Sequence, residues 1–147
     1  NDDITRAEFV KMIACLDGVD VSAITTCRFK DVADNDFFAP YIEWAAQNGI
    51  VLGYSDDQFG PYDTISREQM ATIVCRYAEY AGILLGNSVE AANFTDASCI
   101  SDYAAGCVKA LQQAGVICGI LNDDGSFCYA PQDPATRDQA CKILSLI

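Results

Sequence analysis

Ile65-Ser66-Arg67-Glu68-Gln69 decides how this chain is read, because the chain writes it two more times. Ile4-Thr5-Arg6-Ala7-Glu8 and Ala135-Thr136-Arg137-Asp138-Gln139 are the other copies, and an Asp stands four residues before each Arg, at Asp2, Asp63 and Asp133. A hydroxyl residue three positions before Glu or Gln is the capping-box pattern of a helix start. Apolar residues follow each copy at helical spacing. They are Phe9, Ile13 and Leu16 in the first, Met70, Ile73, Val74 and Tyr77 in the second, and Ala140, Ile143, Leu144 and Ile147 in the third. Gly18 and Gly82 are natural stops for the first two helices.

Working outward, two related bodies lie between the copies. One runs from Phe29-Lys30-Asp31-Val32 to Pro61, the other from Phe94-Thr95-Asp96-Ala97 to Pro131. Each contains a second helix, about 39–48 and 101–114, that ends in Gly-Ile-Val-Leu-Gly (Gly49–Gly53) or Gly-Val-Ile-Cys-Gly (Gly115–Gly119). A polar turn follows, Ser55-Asp56-Asp57 or Asn122-Asp123-Asp124-Gly125, then Phe59 or Phe127, a Pro and the next motif helix. This reads as a short strand, turn and strand, or a looser hairpin. The repeat spacing is 61 residues from Arg6 to Arg67 and 70 from Arg67 to Arg137. Repeats at such periods fix the architecture. The expected units are an incomplete first repeat (1–18), a second (29–82) and a third (94–147), packed as one domain and joined by a polar connector at 87–93. Asn1-Asp2-Asp3 reads as the tail of a body otherwise absent, which suits a mature product, an excerpt, or a surface supplied by another subunit. No secretory signal precedes it.

Composition narrows the function. The chain has 147 residues, 51% of them hydrophobic, enough for one packed domain. No apolar run reaches the 18 or more residues of a membrane span, so no membrane insertion is expected. A net charge of −12 with nine Lys and Arg makes nucleic acid a poor partner. Eight cysteines and no histidine point to disulfides in an oxidising compartment. The absence of Cys-x-x-Cys and His argues against zinc. Eight cysteines allow about 105 pairings. Cys118–Cys128 is the readable one, because a three-residue loop at Asn122–Asp124 sets them opposite each other. Cys15 with Cys27 and Cys99 with Cys107 close short local loops, which leaves Cys75 with Cys141.

Each motif Arg falls near the first helical position, where a cation opposes the helix dipole by roughly 0.3–1 kcal/mol. It asks for a compensating anion. The Asp of its own repeat could supply one, and so could an acidic ligand held by guanidinium and free helix N–H groups. Trp44 and Tyr54 are the aromatic candidates for a sugar face. Trp44, beside Tyr41 and Ala45 on an apolar helix face, reads more readily as core. Tyr54, at a tight turn, reads as partly exposed. The acidic turns lack the ligand spacing of a calcium loop, and turn chemistry explains them. No metal or cofactor is expected. Without His, a nucleophile elbow or a phosphate loop, the chain does not read as an enzyme.

Phe29-Lys30-Asp31-Val32, Trp44-Ala45, Gly49-Ile50, Gly53-Tyr54, Asp57, Phe59, Pro61 and Ile65-Ser66-Arg67 together resemble the S-layer homology (SLH) domain family. The second body keeps Phe94, Asp96, Gly115, Gly119, Phe127 and Pro131, with Ala110 at the Trp position and Ile120 at the Tyr position. The resemblance implies a mainly α fold, with repeats in a pseudo-threefold arrangement around a central helix bundle. It implies an extracellular, noncatalytic module at the bacterial cell surface, anchored to an anionic cell-wall polysaccharide, often through a pyruvylated sugar. Arg67, Arg137 and Arg6 would grip acid groups, and Tyr54, Gly53, Gly119 and Trp44 would line the sugar site, glycine letting a ligand reach the backbone. The alternative is a disulfide-hardened structural subunit that forms a homo-oligomer, layer or filament.

Overall fold

The structure is a computed structural model describing residues 2–147; Asn1, the first residue of the expected first unit, lies outside them. It is mainly helical: α1 Arg6–Asp17, α2 Ala39–Gln47, α3 Arg67–Ala81, α4 Asp102–Gln113 and α5 Arg137–Leu144, with a two-stranded antiparallel pair, β1 Ile120–Leu121 and β2 Phe127–Cys128, between α4 and α5.

The three motif helices start where the local chemistry directs. Thr5, Ser66 and Thr136 each accept from the backbone N–H three residues on, and Glu8, Gln69 and Gln139 reach back to their backbone N–H groups at 2.8, 3.2 and 3.1 Å. Two otherwise orphaned donors are thus satisfied at each start. Gly18 and Gly82 end α1 and α3 in the left-handed conformation.

The segments just before the caps tie the repeats together. The N–H of Ile4 donates to the carbonyl of Ala135, that of Ala135 to Ile65, and that of Ile65 back to Ile4, at 3.0, 2.8 and 3.0 Å. A second cycle surrounds this ring: Arg6 N–H to the Asp63 carbonyl, Arg67 N–H to Asp133, and Arg137 N–H to Asp2. Ile4, Ile65 and Ala135 are fully buried. Extended backbone that would otherwise sit buried and unpaired is satisfied here by exchange between repeats.

Each body packs on the motif helix that precedes it. α2 packs against α1, α4 against α3, and α1 also meets α3 and α5. The core runs through Phe9, Ile13, Ile42, Met70, Val74 and Leu111. Leu16 departs from the expected face and is half exposed, because it turns toward Phe37 and Leu144 on the open side of α1 and α5.

The two bodies differ in their turns. In the first, Tyr54 N–H donates to the Gln58 carbonyl with no strand pairing. In the second, β1 and β2 pair Ile120 with Cys128 and Leu121 with Phe127. Six residues separate Gly53 from Phe59 but ten separate Gly119 from Tyr129, and the longer loop is the one that forms a hairpin. Tyr129, not Phe127, therefore takes the place of Phe59. Asp31 accepts from Phe59 N–H and Asp96 from Tyr129 N–H, while Phe127 stands half exposed on β2.

The disulfide expectation is corrected. All eight cysteines are free thiols, and none is at bonding distance from another. The hairpin explains the readable pair. Gly125 at φ +83° takes the left-handed place of a three-residue loop at 123–125, one residue later than expected. That register sets Cys128 opposite Ile120, leaving Cys118 two residues beyond. Cys141 shares the open α1–α5 face with Cys15, which separates both from their expected partners Cys75 and Cys27. Cys107 lies beside Cys75, whose thiol is raised by burial and by that neighbour, and not beside the exposed Cys99.

Candidate functional site

The site is assembled from the hairpin ends upward. The Asp31 carboxylate accepts from Phe59 N–H at 2.9 Å and Gly60 N–H at 2.7 Å. This holds the Phe59 carbonyl toward α1, where it accepts from Arg6 Nε at 2.9 Å. The Arg6 guanidinium then lies between two rings, 4.4 Å from the centroid of Tyr54 and 4.6 Å from that of Phe59. Both contacts fall within cation–π range.

Arg6 is 5% exposed. Burial lowers its pKa below the ordinary value, with Tyr54 and Asp63 acting in the opposite direction. No carboxylate forms an ion pair with it among the described residues. The Asp residues before the motifs do not pair with the Arg of their own repeat either; each offers its backbone carbonyl to the Arg of another repeat.

Arg6 lines a groove of about 410 Å³ between α1, the 53–59 turn and α3, with Gly53, Tyr54, Gln69, Arg76 and Tyr103 around it. Tyr103 comes from α4 and is held by its hydroxyl, which donates to Glu68 Oε1 at 3.0 Å. Burial, then that bond, push its phenol up to about 12. Glu68 is almost fully buried and also accepts from Ser101 and Gln132. Burial alone would raise its carboxyl, but these bonds outweigh it and the carboxyl sits below its ordinary value.

The next seam repeats the frame with other side chains. Asp96 holds the N–H groups of Tyr129 and Ala130, each at 2.8 Å, and the Tyr129 carbonyl accepts from Arg67 Nε at 2.8 Å. The Tyr129 ring lies 4.9 Å from the Arg67 guanidinium and its hydroxyl donates to the Arg67 carbonyl. Arg67 is 8% exposed. Its groove, with Gly119, Ile120, Gln139 and Lys142, holds about 210 Å³.

Arg137 differs. It is exposed, with no hairpin against it among the described residues, and donates to Glu8 Oε1 at 2.9 Å. The pair raises Arg137; Glu8 is lowered by the Thr5 backbone bond first and by Arg137 second.

The structure thus brings Arg6, Gly53 and Tyr54 together, and Arg67 with Gly119. Trp44 is 4% exposed and packs edge-on against Tyr80, away from both grooves. Gly53 and Gly119 have an internal reason to be glycine: a Cβ at either would come within 2.6 Å of the Phe29 or Phe94 ring. Sequence reasoning missed Arg76, Gln69 and Tyr103. Gln69, Thr72, Ile73 and Arg76 do share one helix face by spacing, a readable signal. Tyr103 had none, since it reaches the groove from the other body.

Comparison with known proteins identifies the repeated unit. The S-layer homology domain model matches residues 28–71 and 93–141, well over half the chain. "Exoglucanase XynX" of Acetivibrio thermocellus is 34% identical over 96% of this chain, which spans 12% of that protein. "Surface-layer 125 kDa protein" of Lysinibacillus sphaericus is 26% identical over 97% of the chain and 11% of its own length. "Cellulosome-anchoring protein" of A. thermocellus is 31% identical over 54% of the chain and 19% of its own length. The chain spans less than a fifth of each, so the shared part is a surface module and the catalytic name belongs to the much longer relative. By its repeats and these matches, the chain belongs to the S-layer homology domain family, a noncatalytic module of the extracellular bacterial surface.

Proposed function

We propose that this chain anchors its protein to an anionic cell-wall polysaccharide through the grooves between repeats, with the Arg6 groove as principal site. The observation that carries this reading is Arg6 itself. It is a buried cation with no carboxylate in an ion pair with it among the described residues, stacked between two rings at a groove of about 410 Å³. That volume falls within the range of ordinary ligand sites, roughly 300–1,000 Å³, and the Arg67 groove falls below it. Arg67, with Gly119, is a weaker second contact. In this reading the repeats 1–18, 29–82 and 94–147 form one domain about a pseudo-threefold axis, and the hydrogen-bond ring of Ile4, Ile65 and Ala135 supports that arrangement. The acid group sits on the exposed edge of the Arg6 guanidinium and the apolar face of the sugar on Tyr54.

Retention on purified A. thermocellus cell walls, before and after acid extraction of their polysaccharide, tests the proposal. Tyr54 is 52% exposed, so Tyr54→Ala leaves the core intact. It is expected to weaken retention about tenfold, the worth of about 1.4 kcal/mol. Arg6→Gln is expected to weaken it further, and salt to weaken the wild type. Retention that ignores both substitutions, or survives extraction, rejects the proposal.

A second reading rests on the α1–α5 face, where Leu16 and Phe37 stand exposed beside Arg137. There the chain would meet a body of another copy and build a layer or filament. A monodisperse monomer on particle sizing, without polysaccharide, removes that reading.

A further inference from the structure

The Arg6 groove holds a second cation. α3 turns Gln69, Thr72, Ile73 and Arg76 into it. Arg76 is partly exposed, and among the described residues no carboxylate pairs with it or with Arg6. Acidic residues outnumber basic ones 21 to 9 in this chain. Two cations in one concavity, neither in an ion pair among the described residues, concentrate charge of the opposite sign to the rest of the surface.

The two cations stand apart along the groove. The bond from the Ile65 N–H to the Ile4 carbonyl sets the start of α3, with Gln69, beside the start of α1, with Arg6, which places them at the same end. Seven residues of α-helix separate Gln69 from Arg76, a rise of about 10 Å. Two acid groups, one toward each end of the groove, match that spacing. Lys142 in the Arg67 groove and Lys11 beside Arg137 are second cations too, but among the described residues only the Arg6 groove sets two guanidinium groups in one cavity. Nine residues after its motif Arg, α3 carries Arg76, whereas the corresponding positions after Arg6 and Arg137 are Cys15 and Leu146.

We propose that Arg76 is a second anion contact, and that the Arg6 groove reads two acid groups on separate residues of one glycan, in preference to a single acidic terminus. This rests on the anchoring function proposed for the groove. One acid group lies at Arg6 against Tyr54, the other at Arg76, and the intervening sugar passes over Thr72 and Ile73.

The test is calorimetric titration at low salt with galacturonic acid, its linear trimer and the methyl-esterified trimer. The trimer is expected to bind at least tenfold more tightly than the monomer, and esterification to remove the gain. Arg76→Gln is expected to bring trimer and monomer within about twofold, and Arg76→Lys to keep most of the preference. A wild-type chain without a trimer preference, through equal or absent binding, overturns the two-point site. So does a preference that survives Arg76→Gln. Neither outcome touches the anchoring function, which stands or falls on wall retention by Arg6→Gln.

Discussion

The Arg6 and Arg67 seams share a frame and differ in what fills it. In both, an Asp carboxylate grips two backbone N–H groups and a carbonyl one bond away accepts from Arg Nε. Above that frame the aromatic cover falls from two rings to one. Tyr54 reaches over Gly60 and stacks on Arg6 together with Phe59, whereas the second seam has Ile120 and Ala130 at the places of Tyr54 and Gly60 and keeps only the ring of Tyr129, at the place of Phe59. The backbone geometry is conserved between the seams, and the identity of the groove is set by two or three exchangeable side chains. The larger, tyrosine-flanked groove lies where the turn is short, and the smaller lies where four extra residues make a hairpin.

The harshest way to break the comparison is to remove the frame itself. Asp31→Ala orphans two N–H donors and frees the Phe59 carbonyl from its register. Charge-assisted bonds to backbone donors of this kind are worth about 1.5–3 kcal/mol each, so a loss of about 3 kcal/mol is expected in denaturant unfolding. Asp96→Ala should cost the same at the other seam. A difference above about 1 kcal/mol between the two would mean the frames are not equivalent.

Second in size is a difference between the seams at the residue after the Arg: Ala7 at one, Glu68 at the other. Glu68 joins α3 to the start of α4 through Ser101, and to Tyr103 and Gln132. Glu68→Gln replaces one acceptor oxygen by a donor facing donors, at an expected cost of about 2 kcal/mol at pH 7. The folded carboxyl lies below its ordinary value of 4.5. Its contribution is therefore complete above that value and is lost as pH falls through the lowered folded value. Unfolding measured from pH 7 down to pH 3 should give a shallower acid slope for Glu68→Gln than for the wild type. Parallel slopes would contradict the role assigned to this carboxylate.

A smaller and sharper test exchanges the covers. Gly60 has φ +71°, and a Cβ there would strike the Tyr54 ring and come within 2.6 Å of Asp63 Oδ2. Gly60→Ala is expected to cost about 1–2 kcal/mol. Adding Tyr54→Ile should recover part of that, because Ala130 tolerates φ +54° where Ile120 replaces the tyrosine. Ala130→Gly alone should change stability by less than about 1 kcal/mol. Strict additivity of Gly60→Ala and Tyr54→Ile would show that the two residues do not constrain each other.

These same residues mark what could be read from sequence. The capped helices were legible because a capping box is complete within four residues. Arg6 and Tyr54 were legible as candidates, but their order of importance was not. What distinguishes Arg6 from Arg137 is the presence of the Phe59 carbonyl, 53 residues away, and a motif match gives both the same weight. The exchange of Phe127 for Tyr129 was hidden because an aromatic stands at both positions, and only the grip of Asp96 tells them apart. The cysteines misled through a one-residue displacement of the hairpin loop. In a strand pair such a slip moves both partners in opposite directions, so an apparent pairing becomes a diagonal two residues off.

The third motif arginine gives the smallest expected effect. Among the described residues Arg137 has neither ring nor carbonyl against its guanidinium and is held by Glu8 of α1, with side chains 49% and 41% exposed. Exposed pairs of this kind contribute between about 0 and 1 kcal/mol. Glu8→Gln keeps an oxygen to accept from Thr5 N–H, so the helix cap survives the loss of charge. The substitution should therefore cost less than about 0.5 kcal/mol, and less still in high salt. Arg67→Gln, by contrast, removes a bond to the Tyr129 carbonyl and a buried cation–π contact, and should cost several times more. Equal costs would mean that burial in a seam adds nothing to what the motif arginine already does on an open face, and the distinction between covered and uncovered copies would fail.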